Sequence, residues 1–161
     1  MLMQNTKTGI SDKQSDNFVV RRNSITLSLA KKLAEKVEEK AKQIGVRAVV
    51  SICSAEGRPV LTECMDDSYI ASFDIAFNKA FTSASLKMST TKLKVLSQPR
   101  GPLYGIQNTN EGKIVIFGGG EPLILSGEII GGLGVSGGNE EQDTALAAYG
   151  VKCLESLTKS L

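Results

Sequence analysis

Residues 113–143 read KIVIFGGGEPLILSGEIIGGLGVSGGNEEQD and hold nine of the sixteen glycines in a chain of 161 residues. Glycine at this density among β-branched residues is costly, because it loses the most backbone entropy on folding and has no side chain to pack. The pattern predicts that another surface lies very close to this backbone. Residues 113–117 have strand composition and run into Gly118-Gly119-Gly120, where a tight turn or a close approach meets no steric penalty. Residues 122–125 begin at Pro122, which lacks an N–H and suits an edge strand. Ser126-Gly127-Glu128 then turns into a strand over 129–135, which Gly131, Gly132 and Gly134 interrupt. Asn139 is placed to cap a helix, with Gln142 in capping-box register and Glu140, Glu141 and Asp143 on the positive end of its dipole.

A glycine turn entering a helix also has the outline of a phosphate site. The run 132–138, GLGVSGG, carries no following Gly-Lys-Ser/Thr, and the carboxylates at the helix start repel a phosphate at short range. Packing against a helix or a neighbouring subunit is the simpler reason for the glycines.

Upstream, Thr26 or Ser28 can cap a first helix that runs to about Ile44, with Ala30, Leu33, Val37, Ala41 and Ile44 on one face and Gly45 ending it. Residues 46–53 make a strand with few polar positions, covered on both faces, and 59–65 return antiparallel to it. Asp67 or Ser68 is positioned to cap a second helix whose stripe is Phe73, Ala76, Phe77, Ala80, Phe81, Ala84 and Met88, with Lys79 and Thr82 beside it. A lysine there either snorkels to solvent or presents its ammonium to an anion. Ser89 or Thr90 caps a short helix, and 98–102, QPRGP, is a loop that cannot be helical. A last helix over about 140–158 carries Ala147, Val151, Leu154 and Leu157 on one face. The sum is an α+β fold: a five-stranded antiparallel sheet flanked by helices, of profilin-like or PAS-like topology. Residues 1–22 have the polar composition of a flexible N-terminal arm, and 23–161 form a single domain.

Composition narrows function by exclusion. The chain has no histidine, so a Ser-His-Asp triad, a histidine-ligated zinc and a proximal-histidine haem are all excluded. The formal net charge is +2, with lysines and glutamates alternating on the first helix, and tryptophan is absent. Neither a basic stripe nor a stacking platform for nucleic acid is present. Cys53, Cys64 and Cys153 are far apart in sequence and read as small buried hydrophobes in a reducing compartment. No signal-peptide core or membrane-length apolar run occurs, which predicts a cytoplasmic protein with no membrane partner. No nucleophile, base and orienter fall together, so the expectation is binding rather than catalysis.

Three phrases carry a resemblance: AFNKAFTSA at 76–84, FGGGEPL at 117–123 and GEIIGGLGVSGG at 127–138, the last followed by Gln142-Asp143 and an alanine-rich helix. Together they resemble the GlcG/HbpS family, whose domain also forms the C-terminal part of PduO-type corrinoid adenosyltransferases, over roughly residues 25–158. The resemblance implies a profilin-like fold and homo-oligomers, often octamers. It also implies haem binding in several members through histidine, and a setting in glycolate use or in bacterial microcompartments that metabolise diols. With no histidine to carry over, a haem here would have to use Tyr104, Met65, Met88 or a cysteine as axial ligand, and Lys79 or Arg100 for its propionates. A haem or corrinoid would sit between the second helix and the glycine strand. Lys79, Thr82 and Ser136 would be its polar contacts, and Gly119, Gly120 and Gly134 would let a flat macrocycle approach. The competing expectation is a cofactor-free oligomeric accessory protein in which the same glycines make subunit contacts.

Overall fold

A computed structural model describes residue 18 and residues 20–159 of the chain. The arm expected over residues 1–22 therefore lies mostly outside the described residues. The elements run α1 (Leu27–Gln43), β1 (Val49–Ser54), β2 (Pro59–Cys64), α2 (Ser72–Leu86), α3 (Thr90–Leu96), two 3-10 turns, β3 (Gly120–Leu125), β4 (Glu128–Ser136) and α4 (Glu140–Lys159). The strands form one sheet in the order β2-β1-β4-β3, every neighbouring pair antiparallel.

Helix ends follow local chemistry. The Thr26 hydroxyl accepts the Leu29 N–H at the start of α1, and the Ser89 hydroxyl accepts that of Lys92 at the start of α3. Asn139 and Gln142 form a reciprocal capping box at α4, at 2.8 and 3.0 Å. The second helix departs from expectation. It begins at Ser72 with no side-chain cap, and Asp67 stands before it with φ 60°. The Asp67 carboxylate is drawn to the Arg47 guanidinium at 2.7 Å instead of to a helix N–H.

The sheet has four strands, not five. Residues 113–117 were expected to pair as a strand, but they run outside the ladder. Their polar backbone is met by a side chain: the Thr82 hydroxyl accepts the Val115 N–H at 3.0 Å. Ile114 and Val115 are buried, so the run keeps the burial of a strand without the pairing of one.

The two faces of the sheet are packed differently. On one, α1 and α4 close a conventional apolar core in which Leu33 and Val37 meet Ile52, Leu133, Val135, Leu146 and Leu154. On the other, α2 lies on the sheet through small residues, Ala76, Ala80 and Ser83. A Cβ built on Gly134 would strike the Ala76 carbonyl oxygen, one on Gly132 the Ala80 carbonyl, and one on Gly120 would come to 2.7 Å from the Lys79 carbonyl. The glycines of β3 and β4 thus admit the backbone of α2 almost in contact with the backbone of the sheet. The phenylalanines of the expected stripe are not fully buried: Phe73 is exposed, Phe81 is half-buried, and half-buried Phe77 packs beside the seam against Cys53, Ala80 and Ala84.

Candidate functional site

Where α2, β4 and α4 meet, the chain buries a charge. Lys79 is fully buried, and its ammonium donates to Asp143 Oδ2 and to the Val135 carbonyl, each at 2.8 Å. The Phe117 ring lies 4.9 Å from the same nitrogen. Asp143 Oδ1 accepts the Gly138 N–H at 2.9 Å, so one carboxylate ties the first turn of α4 to both the end of β4 and α2. Burial pushes the Lys79 ammonium below its ordinary pKa, and the bond to Asp143 pulls it part of the way back. Gly119 is what makes room for this pair. It has φ 106°, and a Cβ there would fall 2.7 Å from the Val135 oxygen and 2.8 Å from Lys79 Nζ.

Directly outside the pair is a groove at the end of the sheet. One cleft of about 350 Å³ has Tyr69, Ser72, Ile75, Phe117, Ser136 and Asp143 among its walls. A second, of about 300 Å³, shares Tyr69, Gly137 and Gly138 with the first and extends to Arg47 and Asp67. The groove therefore runs from an end with Ile75 and Phe117 in its walls to one that holds the Arg47–Asp67 ion pair, past a phenol. Ser136 and Ser72 join hydroxyls at 2.9 Å in its wall. Glu140 also borders it and is neutralised from outside: Lys94 donates to both its oxygens and Gly118 N–H to one, which hold its pKa below the usual carboxylate range. Tyr69 and Phe117 in the groove walls are exposed, and so are Ile70 and Phe73, which stand close to Tyr69 in sequence.

Of the residues singled out in the sequence, only Ser136 lines the groove. Lys79 does not snorkel and does not face a ligand; it is spent on Asp143 and Val135. Thr82 holds the 113–117 segment and donates to the Asn78 carbonyl at 2.6 Å. Gly120 and Gly134 lie under α2, and Gly119 beside the ion pair, so the space proposed for a macrocycle between helix and glycine strand is filled by the helix itself. Arg100, at φ 70°, and Tyr104 are exposed in the 97–112 loop and line neither cleft. Sequence reasoning missed Tyr69, Phe117, Ile75 and Arg47. The available signal was Tyr69-Ile70, two large residues set directly after the polar turn Asp66-Asp67-Ser68.

The other candidate donors are scattered. Cys53 is buried in the sheet and its thiol is pushed up to about 11 by that burial, leaving it protonated. Cys64 is exposed and lines a cleft of about 530 Å³ with Lys42 and Met65, which adjoins the groove through Gly45, Val46 and Arg47. Among the described residues no cluster of three or more carboxylates and thiols could hold a metal ion, and no helix is long and apolar enough to cross a membrane.

Comparison with known proteins places this geometry. The sequence model of the HbpS-like family, described as haem degrading protein HbpS-like, matches residues 25–152. An uncharacterised 15.0 kDa protein of the dhaT-dhaS intergenic region in Citrobacter freundii is 46% identical over 134 residues, 83% of this chain and 94% of its own length. The corrinoid adenosyltransferase PduO of Salmonella typhimurium is 43% identical over 70% of this chain, which spans only 35% of that enzyme. Among solved structures, the Klebsiella pneumoniae protein ORFY superimposes with TM-score 0.85 at 41% identity, covering 87% of this chain and 97% of that one. A PduOC:haem complex superimposes with TM-score 0.77 at 37% identity, covering 80% and 94%.

Proposed function

The chain belongs to the HbpS-like family, and from that premise we propose that it is a small-ligand-binding protein whose ligand is a planar tetrapyrrole, haem first, held in the groove at the end of the sheet. The observation that carries this reading is the likeness to the haem complex of PduOC over 80% of the chain. The groove supports it: apolar walls at Ile75 and Phe117 suit a macrocycle, and Arg47 at the other end suits its propionates. Arg47 is held only by an exposed ion pair with Asp67, a kind worth about 0–1 kcal/mol, so an incoming carboxylate can displace that partner cheaply. The residues present fit ferric haem through oxygen or sulfur donors and not through imidazole, since the chain has no histidine.

Several finer assignments belong to the same reading: a corrinoid as second ligand, a cytoplasmic or microcompartment setting, and a role in glycolate or diol metabolism. Assembly into homo-oligomers, octamers among them, is part of it too, and the exposed Tyr69, Ile70, Phe73 and Phe117 favour such contacts. The same side chains support the second reading, a cofactor-free oligomeric accessory protein. Absorbance titration with hemin, and separately with cobalamin, distinguishes the two. Binding predicts a shifted Soret or corrin band that saturates at a fixed ratio per chain. An unshifted spectrum from a protein that light scattering finds as a defined oligomer would favour the accessory role.

A further inference from the structure

Among the residues that line the groove, Tyr69 alone carries a phenol, thiol or thioether. We propose that Tyr69 would supply the donor oxygen to the iron of a ferric haem bound by this protein. The proposal rests on the haem-binding reading above and names the residue that makes it possible without histidine.

The argument is one of chemistry and place. Iron(III) in a porphyrin accepts phenolate, thiolate or thioether oxygen and sulfur as axial donors. Among the described residues, Cys53 is enclosed in the sheet and protonated. Met65 Sδ already accepts the Ala48 N–H at 3.3 Å. Tyr149 and Cys153 stand one turn apart on α4 and line neither cleft. Tyr104 is 67% exposed and borders neither cleft. Cys64 lines the cleft with Glu38, Lys42, Arg47 and Asp66, which has no aromatic wall. Tyr69 alone stands between an apolar wall and a cation: it lines the cleft with Phe117 and Ile75 and also the adjoining one with Arg47. It is 73% exposed, so its ring can turn toward a ligand without unpacking the core. With a ferric haem bound, Tyr69 would hold the iron through its phenol oxygen, giving up the O–H proton to solvent, with no change in the oxidation state of the iron.

The test is a hemin titration of the wild-type protein and of Tyr69→Phe, Tyr69→His, Cys64→Ser and Tyr104→Phe, read by absorbance and by resonance Raman spectroscopy. Wild-type protein is expected to show a phenolate-to-iron charge-transfer band with enhanced phenolate modes. Tyr69→Phe should lose both and weaken hemin binding by roughly tenfold or more, while its circular dichroism melt stays that of wild type. Tyr69→His should replace the phenolate signature with that of imidazole ligation, a gain that a merely structural role would not produce. Cys64→Ser and Tyr104→Phe should match wild type. Hemin binding with the wild-type spectrum in both Tyr69 variants, or loss of that spectrum in Cys64→Ser, would overturn the assignment and leave haem binding standing. Absence of any hemin complex in wild-type protein would overturn both.

Discussion

The middle and the start of helix α2 meet the rest of the molecule in opposite ways. Along its middle, Ala76 and Ala80 press their carbonyls onto Gly134 and Gly132 with no space for a side chain, let alone a ligand. At its start, Tyr69, Ser72 and Ile75 border an open groove with exposed aromatic walls. The same glycine-rich sequence feeds both regions, since β4 runs from the seam at Gly132 straight to the groove at Ser136. The contrast teaches that bare backbone marks where the chain closes on itself, and that the open groove lies just beyond it, where the glycines give way to a helix start.

The strongest way to break the comparison is to put a side chain into the seam. Gly134→Val drives two methyl groups at the Ala76 carbonyl and the Ala80 N–H, backbone atoms that cannot rotate aside. Overpacking usually costs about 1–3 kcal/mol, and a rigid backbone obstacle places this variant at or above the top of that range. Chemical denaturation should find it unfolded or severely destabilised, and a wild-type midpoint would refute close packing there.

The next effect belongs to the junction between the two regions. Lys79→Met leaves the buried Asp143 carboxylate without its cation, which should cost about 3–5 kcal/mol. Pairing it with Asp143→Asn should recover part of that loss. The pH dependence sharpens the point. Because burial holds the Lys79 pKa below 10.5, the folded state binds fewer protons than the unfolded one between the two values. Its contribution to stability therefore rises with pH through the window ending at 10.5, and Lys79→Met should lack that rise in urea melts taken across it.

The smallest effect is expected at Glu121 on the edge strand β3, whose carboxyl is pushed up by burial. Here the folded state binds more protons than the unfolded one just above pH 4.5, so the ionised group detracts from stability at neutral pH. Glu121→Gln should stabilise the protein by no more than about 0.5 kcal/mol at pH 7, and the gain should vanish below 4.5 in the same urea assay.

Caps and strands were legible in the sequence because their signals are local: Thr26, Ser89 and the Asn139–Gln142 box each act within four residues. The missing fifth strand was not, because residues 113–117 have strand composition and the competitor that meets their N–H is the Thr82 hydroxyl, far away in sequence. The start of α2 was misplaced for the same kind of reason, a distant Arg47 claiming Asp67. Lys79 was singled out as a ligand contact or a snorkelling side chain, and the structure pairs it with Asp143 and the Val135 carbonyl. Its partner Asp143 reads in sequence only as a favourable charge on a helix dipole. Tyr69 went unnoticed because a single tyrosine in a turn has no periodicity to give it away.

Hydrogen–deuterium exchange with and without hemin tests the central division most directly. If α2 seals the seam and the ligand lies in the groove, hemin should slow exchange in peptides covering 66–75, 114–118 and 136–139. Peptides covering 130–135, paired on both sides by β1 and β3, should be slow already and unchanged. Protection gained at 76–84 and 130–135, with the groove peptides unaffected, would place the ligand under the helix and contradict the account.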